Sequence, residues 1–281
     1  MPAERIAENL AFVNWTVLTS LAVGSFAAVV FGRLRTEATR GYLGFTAFCA
    51  VLFALLATLA DGALPVALGG ATVGAAVAVP GWGAARVAAL WALAGFAAAY
   101  VVALARGRRA APIGWAGVTA GVVALGAGAL AWGGSALGSV ALFVQLVLLA
   151  GATGGVWASM ILGHWYLVTP KLGEAPLVLF TRVLTAIVAA QLVLFVVWGV
   201  IGAGPAGVGG LAALTGSWAL FVWLRLVVGI VFPLVVSWAA IQTARTRSME
   251  SATGLLYINV GTIAAGTILA SGLYFGAGLL V

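Results

Sequence analysis

The chain has 281 residues, of which 64% are hydrophobic and only 7% are charged, whereas soluble domains carry about 25% charged residues. This composition excludes an ordinary water-soluble protein and predicts a chain that membrane lipid surrounds. The net charge of +7 does not indicate nucleic acid binding, because the basic residues form short clusters between apolar segments, as membrane orientation requires.

Eight apolar segments of membrane-spanning length follow one another along the chain. They lie at residues 11–33, 43–63, 85–105, 113–133, 139–166, 177–202, 217–244 and 253–279. About 20 apolar residues suffice for a helix that crosses the hydrocarbon core. The segments are continuous and do not alternate, which favours helices over strands. The sequence therefore predicts an all-α polytopic bundle of about eight transmembrane helices that forms a single domain over residues 1–281.

Two glycine-rich stretches between these segments are apolar but do not read as spans. Residues 64–83 are bracketed by Pro65 and Pro80 around an apolar part that is too short to cross, and residues 203–216 resemble them. We expect both to be ordered loops at the membrane surface. If either crossed the membrane, the topology would change.

The positions of the basic residues in the links between spans test the predicted number of eight spans. These residues are Arg33, Arg35 and Arg40 after the first span, Arg106, Arg108 and Arg109 after the third, Lys171 and Arg182 around the link after the fifth, and Arg245 and Arg247 after the seventh. With eight spans, all four links lie on one side of the membrane. The positive-inside rule puts that side in the cytoplasm. We therefore expect a multi-pass protein of the cytoplasmic (inner) membrane with both termini on the non-cytoplasmic side.

Glycine pairs with four-residue spacing recur in the spans. The pairs are Gly117/Gly121, Gly151/Gly155 and Gly272/Gly276. This spacing puts both glycines on one helix face and lets another helix approach closely. It predicts tight packing within the bundle, with a dimer interface as the alternative.

The densest group of polar side chains lies where the fifth span ends, in the stretch HWYLVTPK. It begins with His164, the only histidine, followed by Trp165 and Tyr166. Pro170 ends the helix because proline has no N–H to donate, and we expect the chain to return close to Arg182. The candidate site is completed by two polar residues expected at the same depth, Gln242 and Asn259.

This group allows two interpretations. In the functional one, His164 exchanges a proton with a bound cofactor, since histidine ionises near neutral pH, and Tyr166 or Arg182 polarises the cofactor. In the structural one, the aromatic residues anchor the helix at the interface, and Lys171 and Arg182 only orient the protein. A haem is not expected from a single histidine. One cysteine, Cys49, supplies no cysteine-based metal site, so no metal is predicted.

A second candidate position is Arg225, which interrupts the apolar seventh span about eight residues from its start, or about 12 Å of helix rise. An arginine inside the membrane needs a partner or water. The candidate partners are Asn14, Asp61 and Gln145, and Asp61 is the only acidic residue expected near a span end on that side. A structural ion pair between Arg225 and Asp61 and a substrate-binding role for Arg225 both stay open.

The last span, LLYINVGTIAAGTILASGLYFGAG, and the layout of eight spans in about 280 residues resemble a known family. The chain is similar to the membrane-anchor subunits of DMSO reductase and polysulfide reductase complexes. The resemblance implies an eight-helix protein that oxidises or reduces quinones for a partner subunit carrying iron–sulfur clusters. The chain departs from that family at Thr267 and Ser271, where the family often has a glutamate and an arginine.

Three functions remain after this reasoning. The first is a quinone-interacting subunit of an electron-transfer complex, with its site at the end of helices 5–8 that faces the cytoplasm and with partner subunits that carry the redox cofactors. There, His164 would donate to one quinone carbonyl, and His164→Ala should abolish turnover. The second is a structural or assembly subunit without its own cofactor. The third is a transporter of a small anionic or neutral solute that uses Arg225 and Arg182.

Overall fold

The computed structural model describes residues 1–65, 72–73, 76–77, 79, 81–108, 110–169, 171–205, 207 and 211–281. Within these residues the fold is almost entirely helical. The α-helices are α1 (Pro2–Glu8), α2 (Leu10–Arg35), α3 (Arg40–Gly62), α4 (Trp82–Ala105), α5 (Ala111–Trp132), α6 (Ala136–Val168), α7 (Ala175–Ile201), α8 (Ala219–Leu226), α9 (Phe232–Arg245) and α10 (Met249–Ala277).

Eight helical spans among the described residues are long and apolar enough to cross a membrane. They are α2 to α7, the continuous unit Ala219–Arg245 that contains α8 and α9, and α10. These spans coincide one for one with the eight predicted segments, which confirms the predicted all-α polytopic bundle. The chain is therefore a multi-pass helical membrane protein.

The spans differ from the predicted segments by a few residues at their ends, because polar caps extend the helices beyond their apolar parts. The side chain of Thr39 accepts a hydrogen bond from the N–H of Tyr42 and starts α3 at Arg40. Ser135 accepts from the N–H of Gly138 at 3.0 Å and starts α6 in the same way. Such caps satisfy N–H groups that have no partner inside the helix.

The helices α2 and α6 form the centre of the bundle and approach each other most closely. A Cβ on Gly24 would overlap the carbonyl oxygen of Ala150, and one on Gly154 would overlap the backbone at Ser25. Each side of this contact thus requires glycine. Helix α2 also packs against α3, α5 and α10, and α6 packs against α5, α7 and α10.

Consecutive spans run antiparallel, so the links that follow α2, α4, α6 and α9 meet at one end of the bundle. This end carries Arg33, Arg35, Arg40, Arg106, Arg108, Lys171, Arg245 and Arg247 in or beside these links, and it is called the basic end below. The prediction that it faces the cytoplasm, with both termini outside, is a statement about orientation in a membrane and stays a prediction.

The seventh span is interrupted by a π-helical turn, Val227–Val231, just before Pro233. Proline lacks an N–H, so the carbonyl of Gly229, four residues earlier, has no partner from the helix ladder at that position. A π turn is a frequent way to absorb such an interruption. The freed carbonyl lies inside the bundle, where a side chain uses it.

The two stretches predicted as surface loops fall partly outside the described residues. In 64–83 the structure describes two short antiparallel strands, β1 (Thr72–Val73) and β2 (Ala76–Val77). In 203–216 it describes a 3₁₀ turn, Ala212–Leu214. Neither described part is a helix long enough to cross a membrane. Residues 66–71, 74, 75, 78, 80, 206 and 208–210 lie outside the described residues, so the loop prediction is not tested there.

Candidate functional site

The four residues of the predicted cluster at the basic end point in different directions. His164 and Arg182 are exposed, and Tyr166 is buried. The Tyr166 hydroxyl donates to the carbonyl oxygen of Gly173 at 2.5 Å. Among the described residues no hydrogen bond or ion pair joins His164, Tyr166 and Arg182. The structure therefore does not bring these three side chains together into one polar site.

Trp165 packs against the start of α3, where a Cβ on Gly41 would lie 2.6 Å from its Cζ2 atom. Trp165 therefore fixes α6 against α3. Gln242 is half-buried in α9.

Asn259 is fully buried between the seventh span and α10. Its Nδ2 donates to Ser237 Oγ at 2.7 Å and to the carbonyl of Pro233 at 3.4 Å, and its Oδ1 accepts from Thr262 at 3.2 Å. Each polar atom of the side chain thus has a partner inside the protein. The arrangement joins helices, and it leaves little hydrogen-bonding capacity for a cofactor.

The predicted ion pair between Arg225 and Asp61 is wrong, because Asp61 pairs with Arg86. Arg86 Nε contacts Asp61 Oδ1, and Arg86 Nη2 donates to Asp61 Oδ2 at 3.2 Å. Asp61 ends α3 and Arg86 lies in the first turns of α4, so the packing of these neighbouring helices brings the two side chains together. The sequence does not predict this pair, because Arg86 and Asp61 lie in different helices and the deeper Arg225 also needs a partner.

Aromatic rings complete the environment of Arg86. Its guanidinium carbon lies 4.6 Å from the ring centroid of Trp132 and 5.8 Å from that of Trp15. The two indoles meet edge to face at 4.8 Å. Cation–π contact of this kind favours a guanidinium in an apolar setting. We interpret this group at the end opposite the basic end as structural.

Arg225 is 1% exposed and contacts no acidic side chain among the described residues. Its Nη2 donates to Gln191 Oε1 at 2.9 Å, its Nη1 to the carbonyl of Gly229 at 3.2 Å, and its Nε to the main-chain oxygen of Val281 at 3.5 Å. The Gly229 carbonyl is the one that Pro233 leaves without a ladder partner. The interruption of the seventh span thus supplies an acceptor for its own buried arginine.

Two glutamines connect this arginine to the centre of the bundle. Gln191 Nε2 donates to the carbonyl of Leu148 at 3.0 Å, and Gln145 Nε2 donates to Val281 at 2.8 Å. The space for the guanidinium comes from Gly229 and Gly266, whose added Cβ atoms would lie 3.2 and 3.0 Å from Arg225 Nη1. The network joins the fifth, sixth, seventh and eighth spans.

A groove opens between α2 and α7, with α6 as its floor. It has a cavity volume of about 230 Å³. Its lining comprises Gly24, Ala27, Ala28, Phe31, Gly151, Gly155, Ser159, Phe180, Val183, Leu184 and Ile187. The lining is apolar except for Ser159, whose hydroxyl already donates to the carbonyl of Gly155 at 2.7 Å. We call this feature the tail groove.

A second cavity of about 540 Å³ lies on the same two helices at the basic end. Its lining comprises Leu34, Arg35, Thr36, Glu37, Leu172, Gly173, Ala175, Pro176 and Leu179. Leu34 is one turn beyond Phe31 along α2, and Pro176 is one turn before Phe180 along α7, so this cavity follows the tail groove directly. We call it the head cavity. Tyr166 supports its wall through the hydrogen bond to Gly173.

The pair Gly151/Gly155 is the sequence signal for the tail groove, although its spacing predicts close packing. In the structure both residues line the groove floor. The chain matches no protein-family model, no curated protein and no solved structure. The fold defines a multi-pass helical membrane protein.

Proposed function

We propose that the chain is a quinone-interacting subunit of an electron-transfer complex in the cytoplasmic membrane. The observation that carries the proposal is the stacking of the apolar tail groove on the polar head cavity along α2 and α7. A membrane quinone has the same division, with a long hydrocarbon tail and an oxygen-bearing ring. The tail would occupy the groove, and the ring would occupy the head cavity near the predicted cytoplasmic surface.

The tail groove suits a hydrocarbon chain because its lining has no polar side chain without a hydrogen-bond partner. Ser159, its one polar side chain, is satisfied by the helix itself. Gly151 and Gly155 keep the floor low, and the rings of Phe31 and Phe180, which meet edge to face at 6.0 Å between centroids, line the end of the groove nearest the head cavity. Burial of apolar surface from a ligand in such a groove supplies binding through packing.

The head cavity offers groups for both ring oxygens. The exposed guanidinium of Arg35 can donate to one carbonyl. On the other side of the cavity lies the start of α7, which follows the N-cap residue Glu174. The Glu174 side chain accepts no hydrogen bond from the helix, so no side chain caps the first N–H groups of α7. Ala175, whose N–H is the first of these, lines the cavity.

Reduction of the quinone takes up two electrons and two protons, and both carbonyl oxygens become hydroxyls. The electrons would come from the iron–sulfur cluster of a partner subunit, as the resemblance to the reductase anchor subunits implies. The protons would come from water on the basic side, where Glu37 lines the cavity and is exposed. A carboxyl at this position can pass protons to a nearby ring. His164 stays a predicted proton donor, and it lines neither the tail groove nor the head cavity.

The arrangement at Arg225 favours a structural role over solute binding. Each guanidinium nitrogen donates to a protein oxygen. A transported solute would have to displace these acceptors. The transporter alternative therefore has less support than the quinone proposal.

The test is to fill the tail groove. In Gly155→Leu the new Cβ would lie 3.9 Å from Leu184 Cδ1, an ordinary contact, and the rest of the side chain would enter the groove. The matched control is Gly95→Leu in α4, where an added Cβ meets nothing within 4 Å. Quinone would be measured by mass spectrometry of an organic extract of the gently purified protein.

We expect stoichiometric quinone in the wild type and in Gly95→Leu, and little in Gly155→Leu. Both variants should elute as the wild type does in size-exclusion chromatography. Equal amounts of bound quinone in all three proteins would show that the quinone tail does not occupy the tail groove. A wild type that copurifies with partner subunits but holds no quinone would favour the structural or assembly role.

A further inference from the structure

A third cavity lies on the other side of α2, also at the basic end. It has a volume of about 300 Å³. Its lining comprises Val30, Arg33, Leu34, Tyr100, Ala110 and Ala111. These residues come from the end of α2, the last turns of α4 and the start of α5. The cavity shares Leu34 with the head cavity, but it lies on the side of α2 that faces α4 and α5.

Tyr100 is the least exposed polar residue of this lining, at 1%. Its ring packs edge-on against Phe26, at 5.6 Å between centroids, and the absence of a side chain at Gly114 makes room for it. Its hydroxyl has no hydrogen-bond partner among the residues that the structure describes, although the side chain lines the cavity. The hydroxyl is therefore free to donate to a ligand atom in the cavity.

The start of α5 adds further hydrogen-bond donors to the cavity. The 22-residue helix begins at Ala111, and its N-cap residue, Ala110, has no side-chain oxygen to accept from the first N–H groups. Such an uncapped N-terminus carries partial positive charge, and Ala111 and Ile113 offer N–H groups on either side of Pro112, which has none. Helix N-termini of this type bind phosphate and other anions.

The charge around the cavity is positive. Arg33 is part of the lining and half-buried. Arg40 lies over the link between α4 and α5, because a Cβ on Gly107 would be 3.1 Å from its Nη1 atom. Arg106 and Arg108 belong to the same link. No lining residue is acidic, which distinguishes this cavity from the head cavity with Glu37.

We propose that this cavity is a binding site for a phosphate group. Arg33 contributes charge-assisted hydrogen bonds, Tyr100 donates its O–H to a phosphate oxygen, and the N-terminus of α5 provides main-chain donors. The site lies at the depth of lipid headgroups if the basic end faces the cytoplasm, so the phosphate belongs to an anionic phospholipid. Free phosphate shares the chemistry, and the experiment separates the two sources. The proposal does not depend on quinone binding.

The experiment uses delipidated full-length protein. Phosphatidylglycerol or phosphatidylcholine is added, and bound lipid is counted by native mass spectrometry. A parallel sample receives inorganic phosphate alone, with binding followed by ³¹P NMR line broadening. The variants are Tyr100→Phe, which keeps the ring packing and removes only the hydroxyl, and Arg33→Gln. The matched controls are Tyr257→Phe and Arg245→Gln, which alter exposed residues outside the cavity.

We expect tighter binding of phosphatidylglycerol than of phosphatidylcholine in the wild type and both controls. Loss of one hydrogen bond to a charged group should weaken that binding about tenfold in Tyr100→Phe, and at least as much in Arg33→Gln. If inorganic phosphate binds with the same dependence on both residues while the lipid does not, the phosphate site is confirmed and its ligand is a soluble phosphate. Equal binding by variants and controls overturns the proposal, whether the probe is lipid or phosphate.

Discussion

Arg225 donates a hydrogen bond to Gln191 at 2.9 Å and so ties the seventh span to the sixth deep in the bundle. Gln191 in turn donates to the carbonyl of Leu148 in α6. The guanidinium donates to a side-chain amide and to main-chain oxygens, and not to the Asp61 carboxylate that the sequence suggested. Each acceptor therefore contributes to the stability of the bundle, because a guanidinium without acceptors in an apolar medium has a large desolvation cost.

Gln191→Leu should therefore destabilise the protein by about 1–3 kcal/mol, because it removes the shortest hydrogen bond of a buried charge. Arg225→Leu removes the charge itself. The double variant Gln191→Leu/Arg225→Leu should be less destabilised than the sum of the two single variants. The measurement is the free energy of unfolding in mixed micelles titrated with denaturing detergent. Additive effects would contradict the coupling of these two residues.

Asp61→Asn should destabilise the protein by about 3–5 kcal/mol, because it leaves Arg86 buried without its counter-ion. Arg86 and Asp61 are each 7% exposed, so water cannot easily replace the carboxylate. Since Asp61 does not contact Arg225, Asp61→Asn and Gln191→Leu should add within about 0.5 kcal/mol. A strong coupling between them in the same unfolding assay would restore the ion pair predicted from the sequence.

Gly266→Ala should destabilise the bundle by about 1–3 kcal/mol through overpacking. The new methyl group would lie 2.7 Å from the Cα of Gly229 and 3.0 Å from Arg225 Nη1, so backbone has to move. Gly261→Ala in the same helix is the matched control, since a Cβ there meets nothing within 4 Å. Equal thermal stability of the two variants would show that α10 does not pack on the π turn as described.

His164→Ala should leave the quinone content of the purified protein unchanged, because His164 is exposed and lines neither the tail groove nor the head cavity. The measurement is the extract analysis used for Gly155→Leu. Loss of bound quinone from His164→Ala would return the site to the cluster predicted from the sequence. Turnover, measured with the partner complex, separately tests His164 as a proton donor.

The spans were predictable because their signal is local. Each is a continuous apolar segment of sufficient length, and the caps at Thr39 and Ser135 shift its ends by only a few residues. The partner of Asp61 was not predictable in the same way, since it depends on which helix lies beside α3. The π turn was not predictable either, because it depends on a carbonyl that Pro233 frees and that Arg225 reaches only in the folded bundle.

The glycine pairs show the same limit. Gly117 and Gly121 do serve close packing, against Phe26 and Val23 of α2. Gly151 also packs closely, since a Cβ there would lie 3.1 Å from Ile187 Cδ1 of α7, whereas Gly155 meets Leu184 only at 3.9 Å and both residues line the tail groove. Spacing identifies a smooth helix face, and only the position of the neighbouring helices decides whether that face is covered or left open.

Photo-crosslinking with a quinone that carries a photoreactive group on its tail tests the central claim most directly. Labelled peptides of the full-length protein would be identified by mass spectrometry. The account predicts labels in α2 around Phe31 and in α7 around Phe180 and Val183, with loss of these labels in Gly155→Leu but not in Gly95→Leu. Labels confined to other helices, or equal labelling of both variants, would contradict it.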